Sequence, residues 1–371
     1  MTQINLQQPA QRDLPFHFVC PHCQVELEVT EWEATCPLCA RQWPRREGIL
    51  AFVSEAEEYA FLSRLKEVEM PGIEDELANA AATQGWRAAL TSYYRQATTP
   101  EQRAFVSHYT LEEKRAVWKL LLPPGKEAIA LDYGCGFGIY SLNLARTYRH
   151  VCAVDLTFAR LNFLKQRIMQ DGIANVTPIW AGDRLPLPFS EACFDLVMMN
   201  GVLEWVAVNG NTPPEQIQQA YLSEMYRILR PGGHLYIGIE NRYGYGYFFG
   251  KRDEHSYLRF STLLPRRVAN AYSQLVRGKP YREYTYSAKQ LVSLLHYSGF
   301  AQIQVYAPIP GYNAPRFIVN PQDRQVLRST FADLMKPRNT KERLMKAIAP
   351  VAIKIGLLQK TLPAFMILAE K

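Results

Sequence analysis

The chain of 371 residues is 48% hydrophobic and 21% charged, a composition that excludes a disordered protein and allows either one large domain with a small appendage or two domains. Its formal net charge of +7 is a mild bias, which permits RNA or an anionic membrane as a partner without favouring either. The sequence has no secretory signal, no run of about eighteen apolar residues and an odd number of cysteines, so we expect a cytoplasmic protein without a membrane span.

Four cysteines near the N-terminus form two close pairs, Cys20 with Cys23 and Cys36 with Cys39. Each Cys-x-x-Cys turn directs two sulfurs to one point, and two such turns supply the four thiolates of a closed tetrahedral zinc site. A redox motif is the alternative, but this segment lacks the βαβ pattern that surrounds redox pairs. We therefore expect structural zinc, whose binding would supply folding energy to a segment too short to bury a core.

The text around these cysteines, FVCPHCQVELEV and ATCPLCARQWPRREGILAFV, resembles small zinc ribbons that partner or precede methyltransferases. These include the activator of tRNA methyltransferases and the N-terminal ribbons of some rRNA guanine methyltransferases. The resemblance implies a zinc-ribbon domain over residues 1–53 that either contacts RNA or braces a catalytic domain, and both roles stay open. Residues 54–122 follow with apolar positions at spacings of three and four, which predicts a helical bridge.

A glycine-rich turn follows the bridge. Residues 128–132 are predicted to be a buried strand, and the turn GCGFG at residues 134–138 leads into a predicted helix at residues 140–148. Glycines allow a ligand to approach the backbone and a helix start offers free N–H groups, so this unit predicts a nucleotide-type site. A dinucleotide fingerprint needs a third glycine where Ile139 stands, which argues against NAD.

Two acidic residues flank the turn. Asp132 lies just before it, and Asp155 ends the second predicted strand, residues 151–154. An acid at that strand end can accept hydrogen bonds from both ribose hydroxyls of a nucleotide. The segments LDYGCGFG and AVDLT closely resemble the class I S-adenosylmethionine (SAM)-dependent methyltransferases. The resemblance implies SAM binding, an adenine contact from Asp183 and Arg184, and bridge helices that lie over the cofactor.

The predicted site residues of this region follow from the turn, the strand ends and the resemblance. The predicted cofactor-binding residues are Asp132, Gly134, Cys135, Gly136, Gly138, Asp155, Leu156, Asp183, Arg184, Asn200 and Gly201. The candidate lid residues of the bridge are Tyr93, Tyr94, Arg95 and Tyr109.

The remaining predicted elements extend the resemblance to the last residue. Strands are predicted at residues 176–183, 194–202, 235–240, 301–306 and 364–369, and helices at residues 220–229 and 287–298. The alternation of strands and helices by itself predicts a doubly wound α/β fold. The resemblance, which includes LRPGGHL at residues 229–235, implies a Rossmann-like seven-stranded sheet with an antiparallel last strand, in a methyltransferase domain over residues 123–371.

The segment after the fifth strand is expected to be a substrate-side insertion at about residues 241–286, because strand exits on this side of a doubly wound sheet face the ligand crevice. Its start, ENRYGYGYFFG, is similar to methyltransferases encoded with bacterial surface-polysaccharide and natural-product pathways. His255 is the candidate base, and Glu204 is the second candidate catalytic residue. The candidate substrate-binding residues are Trp205, Asn241, Arg242, Tyr243 and Arg252.

The residues that follow the fourth predicted strand indicate which kind of atom accepts the methyl group. Methyltransferases that act on adenine or glutamine amino groups carry an Asn/Asp-Pro-Pro-aromatic loop there, whereas this chain has NGVLEW at residues 200–205. We therefore favour transfer to oxygen of a small molecule, a glycan or a lipid-linked glycan intermediate, as in polysaccharide biosynthesis. Two alternatives stay open: an RNA methyltransferase that binds RNA through the ribbon, and a non-catalytic SAM-binding partner module.

Residues 336–360 mix basic and apolar side chains. Such a segment is typical either of an amphipathic helix on an anionic membrane or of a helix packed beside the last strand. The interrupting Pro350 and Gly356 favour the packed helix, and peripheral membrane contact is the alternative.

Overall fold

The computed structural model describes residues 14–65, 73–99, 103, 110, 113–122, 125–182, 184–334 and 340–371. The chain divides into two compact units. The first comprises Met1–Met199, Ser223–Leu235 and Lys371, and the second comprises Asn200–Leu222 and Tyr236–Glu370. Within the described ranges, no helix combines the length and the apolarity that crossing a bilayer requires.

The elements up to residue 200 belong to the first unit, except for the last residue of β8. The strands are β1 Glu28–Val29, β2 Glu33–Thr35, β3 Gln42–Arg46, β4 Ile49–Ala51, β5 Ile129–Tyr133, β6 His150–Asp155, β7 Val176–Trp180 and β8 Phe194–Asn200. The helices are α1 Glu55–Leu65, α2 Ile73–Gln84, α3 Trp86–Gln96, a 3-10 helix Glu113–Leu121, α4 Ile139–Leu144 and α5 Phe158–Asp171.

The later elements lie in the second unit, except for the end of α6 and the first half of β9. The helices are α6 Pro214–Ile228, α7 Tyr245–Phe248, α8 Arg266–Arg277, α9 Ala288–Tyr297, α10 Arg324–Arg328, a π-helix Ser329–Leu334, α11 Thr340–Lys354 and α12 Leu357–Thr361. The strands are β9 Leu229–Glu240, β10 Gln302–Ile309, β11 Phe317–Val319 and β12 Ala364–Glu370.

A mixed sheet with a parallel centre forms the core of the first unit. Its strand order is β1-β2-β3-β4-β7-β6-β5-β8, and β5, β6 and β7 run parallel, with Leu131 beside Cys152. Every residue of these three strands is buried. Their mostly apolar sequences are typical of parallel strands that are covered on both faces. For this reason the three strands could be predicted from the sequence.

The cysteine-rich segment is joined to this sheet. β4 pairs in parallel with β7, which places Leu50 beside Ile179 and Ala51 beside Trp180. Phe16 and Phe18 of the segment pack with Phe189 and Phe194 in one cluster of buried aromatic rings. The ribbon strands therefore extend the sheet of the first unit and share its apolar core.

The helices of the bridge pack on the same unit. α2 and α3 form an apolar cluster with α5 that includes Leu77, Trp86 and Phe163. The indole Nε1 of Trp86 donates to Asp171 at 3.0 Å. Phe137 of the glycine-rich turn belongs to this cluster, and the partly buried Tyr93 packs against it. Of the candidate lid residues, Tyr93 therefore contacts the cluster that contains the turn, and Tyr109 lies outside the described residues.

The second unit contains the antiparallel part of the fold. Here β9 is followed in strand order by β12, β10 and β11, and β10 runs antiparallel to β12 from Gln302 beside Glu370. α9 begins with a capping box in which Ser287 and Gln290 satisfy each other's backbone N–H. The predicted Rossmann-like α/β fold, with its antiparallel last strand, is confirmed.

Several predicted boundaries were wrong by three residues or more. α6 begins at Pro214 instead of residue 220, and β10 ends at Ile309 instead of residue 306. β9 begins at Leu229 instead of residue 235, because Gly232 and Gly233 exchange backbone hydrogen bonds with Lys371 instead of forming a free turn. The helix predicted at 140–148 ends at Leu144, and the strand predicted at 176–183 ends at Trp180. After Leu144 the chain closes in a turn, in which the N–H groups of Thr147 and Tyr148 both donate to the Leu144 carbonyl, and after Trp180 the φ of +129° at Gly182 ends the strand.

Candidate functional site

The glycine-rich turn and the end of β6 form one hydrogen-bonded unit. The backbone N–H groups of Gly134 and Cys135 both donate to the Val154 carbonyl, at 2.8 and 2.9 Å. The Gly136 N–H donates to Asp155 Oδ2 at 2.8 Å. Oδ1 of Asp155 accepts from the N–H of Thr157 at 2.8 Å. Asp155 thus fixes the turn while each of its oxygens retains a lone pair for a ligand.

Two glycines of this turn are required for different reasons. Gly136 has a φ of +53°, and a Cβ added there would meet no atom within 4 Å, so the backbone faces open space that a ligand can enter. Gly138 has a φ of +80°, and its Cβ would lie 2.2 Å from Cδ1 of Leu164 on α5. The first glycine leaves room for a cofactor, and the second allows the turn to pack closely on the helix.

Asp132 lies at the base of the turn and is only 1% exposed. Its Oδ2 accepts from the Ser141 hydroxyl at 2.5 Å. Burial raises the pKa of Asp132 to about 7, and the neighbouring charge of Asp155 acts in the same direction. This carboxyl group therefore changes charge near neutral pH.

Two residues that the sequence did not single out complete this region. The carboxylate of Glu58, on α1, accepts from the Phe158 N–H at 2.5 Å, and burial raises the pKa of Glu58. The hydroxyl of Tyr133 donates to the Gly182 carbonyl at 2.6 Å. Tyr133 belongs to the LDYGCGFG segment, so the sequence already placed it next to the predicted cofactor site. Nothing in the amino-acid sequence of α1 links Glu58 to residue 158.

The remaining predicted cofactor residues fall in different places. The Leu156 carbonyl accepts from the Trp180 indole at 2.8 Å, and Arg184 forms an ion pair with Glu57. Asp183 lies outside the described residues. Asn200 and Gly201 belong to the second unit, where the Gly201 N–H donates to the Gly238 carbonyl at 2.8 Å.

The four cysteines of the ribbon converge. Their sulfurs all lie within 4.8 Å of one another, and the sulfurs of Cys20 and Cys39 are 3.8 Å apart. A tetrahedral zinc site with Zn–S bonds of about 2.3 Å separates its sulfurs by about 3.8 Å, so the four residues fit this metal. Backbone N–H groups point at the sulfurs, from Cys23 to Cys20 and from Cys39 to Cys36, each at 3.4 Å.

A second group of titratable side chains lies within the second unit. Nε2 of His255 is 3.4 Å from Oε1 of Glu204 and 3.7 Å from Oε2 of Glu240. Nδ1 of the same ring is 3.3 Å from Oδ1 of Asp253. All four side chains are buried, and the ring of Trp205 packs edge-on against the imidazole at 5.0 Å. We call Glu204, Glu240 and His255 the carboxylate–histidine cluster.

Asp253 fixes the orientation of the histidine. Its Oδ2 accepts from the Ser256 hydroxyl at 2.5 Å, and its backbone pairs with Leu258 and Tyr257 in a tight turn. Burial opposes charge on Asp253, but the hydrogen bonds from His255 and Ser256 outweigh it and lower the pKa of Asp253. An ionised Asp253 therefore faces Nδ1, so Nε2 is the nitrogen directed at the two glutamates.

The cluster is electrostatically unusual. Burial raises the pKa of Glu240 to about 7, against the opposing charge of His255. Burial also disfavours a charged imidazole, but the hydrogen bond to Asp253 and the nearby glutamates dominate and raise the pKa of His255 well above its usual value. Strongly perturbed pKa values of buried, mutually interacting groups are concentrated at functional sites.

The predicted substrate-binding residues of the insertion have partners within the protein. Nδ2 of Asn241 donates to the carbonyls of Lys360 and Leu362, at 2.9 and 2.8 Å. The guanidinium of Arg242 donates to the carbonyls of Thr262 and Leu264 and stacks on the adjacent tyrosine ring. These contacts anchor the insertion, whose two ends are joined by a bridge between Asn241 and Tyr286.

Arg252, Tyr243 and Trp205 complete the predicted substrate set. Arg252 is exposed and donates to the Tyr257 carbonyl at 3.0 Å, Tyr243 is half-buried, and Trp205 covers His255. The structure brings His255 and Glu204 together, as two candidate catalytic residues should be. It adds Glu240, the first residue of ENRYGYGYFFG, and Asp253, which lies three residues beyond the end of that segment.

Known proteins resemble the part of the chain that contains the glycine-rich turn and Asp155. Residues 131–237 match the model of a methyltransferase domain family. This match covers β5 to β9 and includes the glycine-rich turn, Asp132, Asp155 and Glu204, whereas the ribbon lies outside it.

Curated relatives match parts of the same region. An uncharacterised protein of Rickettsia prowazekii is 31% identical over 125 residues, which are 33% of this chain and 47% of the relative. A malonyl-[acyl-carrier protein] O-methyltransferase of Pectobacterium atrosepticum is 30% identical over 113 residues, 30% of this chain and 39% of the relative. The chain thus spans less than two thirds of the length of either relative.

Among solved structures, the phosphoethanolamine N-methyltransferase 2 of Haemonchus contortus has a similar backbone trace. The TM-score is 0.43 and the sequence identity 18%, over 81% of this chain and 60% of that one.

Proposed function

We propose that this chain transfers a methyl group from SAM to an oxygen of a small molecule, a glycan or a lipid-linked glycan intermediate. The observation that carries the proposal is the hydrogen bond from the Gly136 N–H to Asp155, beside the open space above Gly136. It joins a glycine turn to an acidic strand end, a combination that holds the ribose of nucleotide cofactors. The methyltransferase match over residues 131–237 supports SAM as that cofactor.

SAM supplies a methyl group that a positively charged sulfur has already activated. In the transfer, the bond from the acceptor oxygen to the methyl carbon forms as the carbon–sulfur bond breaks, and sulfur keeps the electron pair. The proton of the acceptor hydroxyl must leave, so the protein has to align the acceptor, exclude water and assist that proton's departure. Asp155, the turn glycines and Asp132 would hold the cofactor.

We assign the carboxylate–histidine cluster to the acceptor hydroxyl. Its members His255 and Glu204 are the predicted catalytic residues, and Glu240 is a third buried polar group beside them. The relative named as an O-methyltransferase supports oxygen as the accepting atom.

Labelled SAM separates this proposal from its alternatives. We expect label from the methyl group to enter a glycan or small-molecule pool, and the His255→Ala variant to transfer it more slowly while retaining its affinity for S-adenosylhomocysteine. Label in the RNA pool alone, with binding that weakens steeply as salt is added, would replace the proposal with an RNA methyltransferase. SAM affinity without transfer to any pool would replace it with a binding module.

We propose one structural Zn²⁺ at the four ribbon cysteines. The sulfur spacing and the N–H groups directed at the sulfurs support it. Four thiolates leave no open position on the metal, so its role is to hold the fold. The pairing of β4 with β7 supports a bracing role for the ribbon over an RNA-gripping one.

We also propose peripheral contact with an anionic membrane through the end of the second unit. α11 buries Ala349 and Ile353 in an apolar cluster that includes Ile309 of β10 and Val319 of β11, so one side of this helix is packed. Its other side exposes Ile348 and Val351, and the row of exposed apolar side chains continues past the helix end. Lysines and arginines of the same segment would contact lipid phosphates, which suits a lipid-linked acceptor.

A further inference from the structure

We propose that Glu204, Glu240 and His255 form a binding site for one divalent cation of the first transition row. The site lies within the second unit and is separate from the four ribbon cysteines, which are all in the first. Its existence rests on the geometry of the carboxylate–histidine cluster and not on the proposed methyl transfer.

The spacing of the three side chains suits a common metal. One oxygen from each glutamate and Nε2 of the histidine lie within 4.8 Å of one another. The two contacts of Nε2 measure 3.4 Å and 3.7 Å. Ligand atoms bound about 2.1 Å from one metal are separated by about 3.0 Å in octahedral and about 3.4 Å in tetrahedral geometry. The two contacts of Nε2 therefore lie within a few tenths of an ångström of the tetrahedral spacing, and all three ligand atoms are close enough to share one cation.

The buried carboxylates are only partly compensated. Glu204 is 0% exposed, and neither of its oxygens has a hydrogen-bond donor within the part of the chain that the structure describes. Oε2 of Glu240 is likewise buried without a donor in the described residues. The two glutamates share the ring of His255, which lies at ion-pair distance from each. Two buried carboxylates that face a single imidazole leave negative charge that is costly to bury, and a bound cation offsets that cost.

The orientation of the histidine fits a ligand that a second carboxylate supports. Asp253 faces Nδ1 at 3.3 Å and is itself fixed by Ser256. Metal-bound histidines usually donate their other ring N–H to a carboxylate, which selects the tautomer whose free nitrogen binds the metal. Asp253 is therefore the positioning residue for His255.

The donor set selects the class of cation. Two carboxylate oxygens and one imidazole nitrogen suit Mn²⁺, Fe²⁺ or Zn²⁺ better than Ca²⁺, which prefers six to eight oxygen ligands. A cation at this site binds His255 through Nε2, so His255 would assist the acceptor hydroxyl through the cation and not as a free base. That role rests on the proposed function, whereas the site itself does not.

Mn²⁺ tests the site in the full chain with its ribbon loaded with zinc. Mn²⁺ is the weakest competitor for thiolates among these metals, so it leaves the ribbon unchanged. Titration followed by electron paramagnetic resonance of free Mn²⁺ should show uptake of one equivalent per chain, and the thermal midpoint should rise with it. Glu204→Gln should lose both effects, and Asp253→Asn should weaken Mn²⁺ binding by about 10- to 100-fold.

Glu254→Gln is the matched control, because it makes the same change one residue from His255 at a side chain that faces Lys251 and Tyr247. It should bind Mn²⁺ as the wild type does. Affinity for S-adenosylhomocysteine, measured on the same samples, separates loss of the cation from loss of the cofactor. A folded wild type that takes up no Mn²⁺ overturns the proposal, as does equal uptake by Glu204→Gln; such results would leave a cluster that only shares protons.

Discussion

Asp155 Oδ2 accepts a hydrogen bond from the Gly136 N–H at 2.8 Å, so the acidic end of β6 holds the turn that follows β5. The two residues are nineteen positions apart in the chain. The glycine turn and the acid at the strand end, which are separate features of the sequence, are therefore joined in one structure. The open space at Gly136 lies beside them.

The first prediction is that Asp155→Ala removes the affinity for S-adenosylhomocysteine. The substitution deletes the acceptors for both ribose hydroxyls. Hydrogen bonds to charged groups contribute about 1.5–3 kcal/mol each, so the loss should be roughly 100-fold or more by titration calorimetry. Asp323→Ala, which changes an aspartate that caps α10 in the second unit, should leave the affinity unchanged. Unchanged affinity in the Asp155 variant would contradict the cofactor site.

The second prediction concerns the packing of the turn. Gly138→Ala should lower the free energy of unfolding by about 2–4 kcal/mol, because a left-handed φ costs about 1–2 kcal/mol and the contact with Leu164 adds to it. Gly278→Ala shares the positive φ, but its Cβ meets nothing within 4 Å, so it should lose only about 1–2 kcal/mol. Urea denaturation measures both, and equal losses would show that the turn has room at residue 138.

The third prediction follows from the pKa of Asp132, which burial raises from 3.8 to about 7. The folded state then binds this proton more tightly than the unfolded state, so stability falls as pH rises from about 4 to 7. Over that interval Asp132 should account for up to about 4 kcal/mol. Asp132→Asn cannot ionise and should remove this part of the pH dependence, as measured by denaturation at a series of pH values. Parallel profiles for variant and wild type would refute the assignment.

The fourth prediction tests the ribbon. Cys20→Ser should lose the zinc that we expect elemental analysis to find in the wild type, because three thiolates cannot complete the site and the sulfur of the buried Cys20 lies within 4.8 Å of the other three. His22→Ala changes a residue of the same turn that faces Arg41 and should retain the metal. Full zinc content in Cys20→Ser would rule out a four-cysteine site.

The fifth prediction concerns the membrane. Val351→Glu should reduce co-sedimentation with phosphatidylglycerol vesicles several-fold, because it places a negative charge in an apolar row beside anionic lipid. Tyr297→Glu makes a similar change at an exposed residue of α9 in the same unit and should have no effect. Equal sedimentation of Val351→Glu and wild type would contradict peripheral contact through α11.

The sequence predicted the parts of the fold that local patterns encode. Buried parallel strands are continuous apolar runs, and glycine turns and Cys-x-x-Cys pairs are visible in a single line of text. Those signals located β5 to β8 and β12, and they assigned Asp155 and the four cysteines to their sites. The pairing of β4 with β7 had no such signal, because register between strands more than a hundred residues apart is set by packing.

The carboxylate–histidine cluster shows the same limit at the level of the site. Glu204, Glu240 and His255 come from three separate segments, and no spacing in the text links them. His255 was selected for its chemistry, whereas Glu240 received no role. Asn241 and Arg242 were assigned to substrate from their position, and only the structure shows that backbone carbonyls take up their donors.

Native mass spectrometry of the purified chain, before and after addition of SAM, tests the central claim most directly. Binding of one SAM or S-adenosylhomocysteine to a chain that also carries zinc is the predicted result, and the Asp155→Ala variant should carry zinc alone. A wild-type chain that retains zinc but binds no nucleoside at saturating SAM would contradict the assignment of the glycine turn and Asp155 to this cofactor.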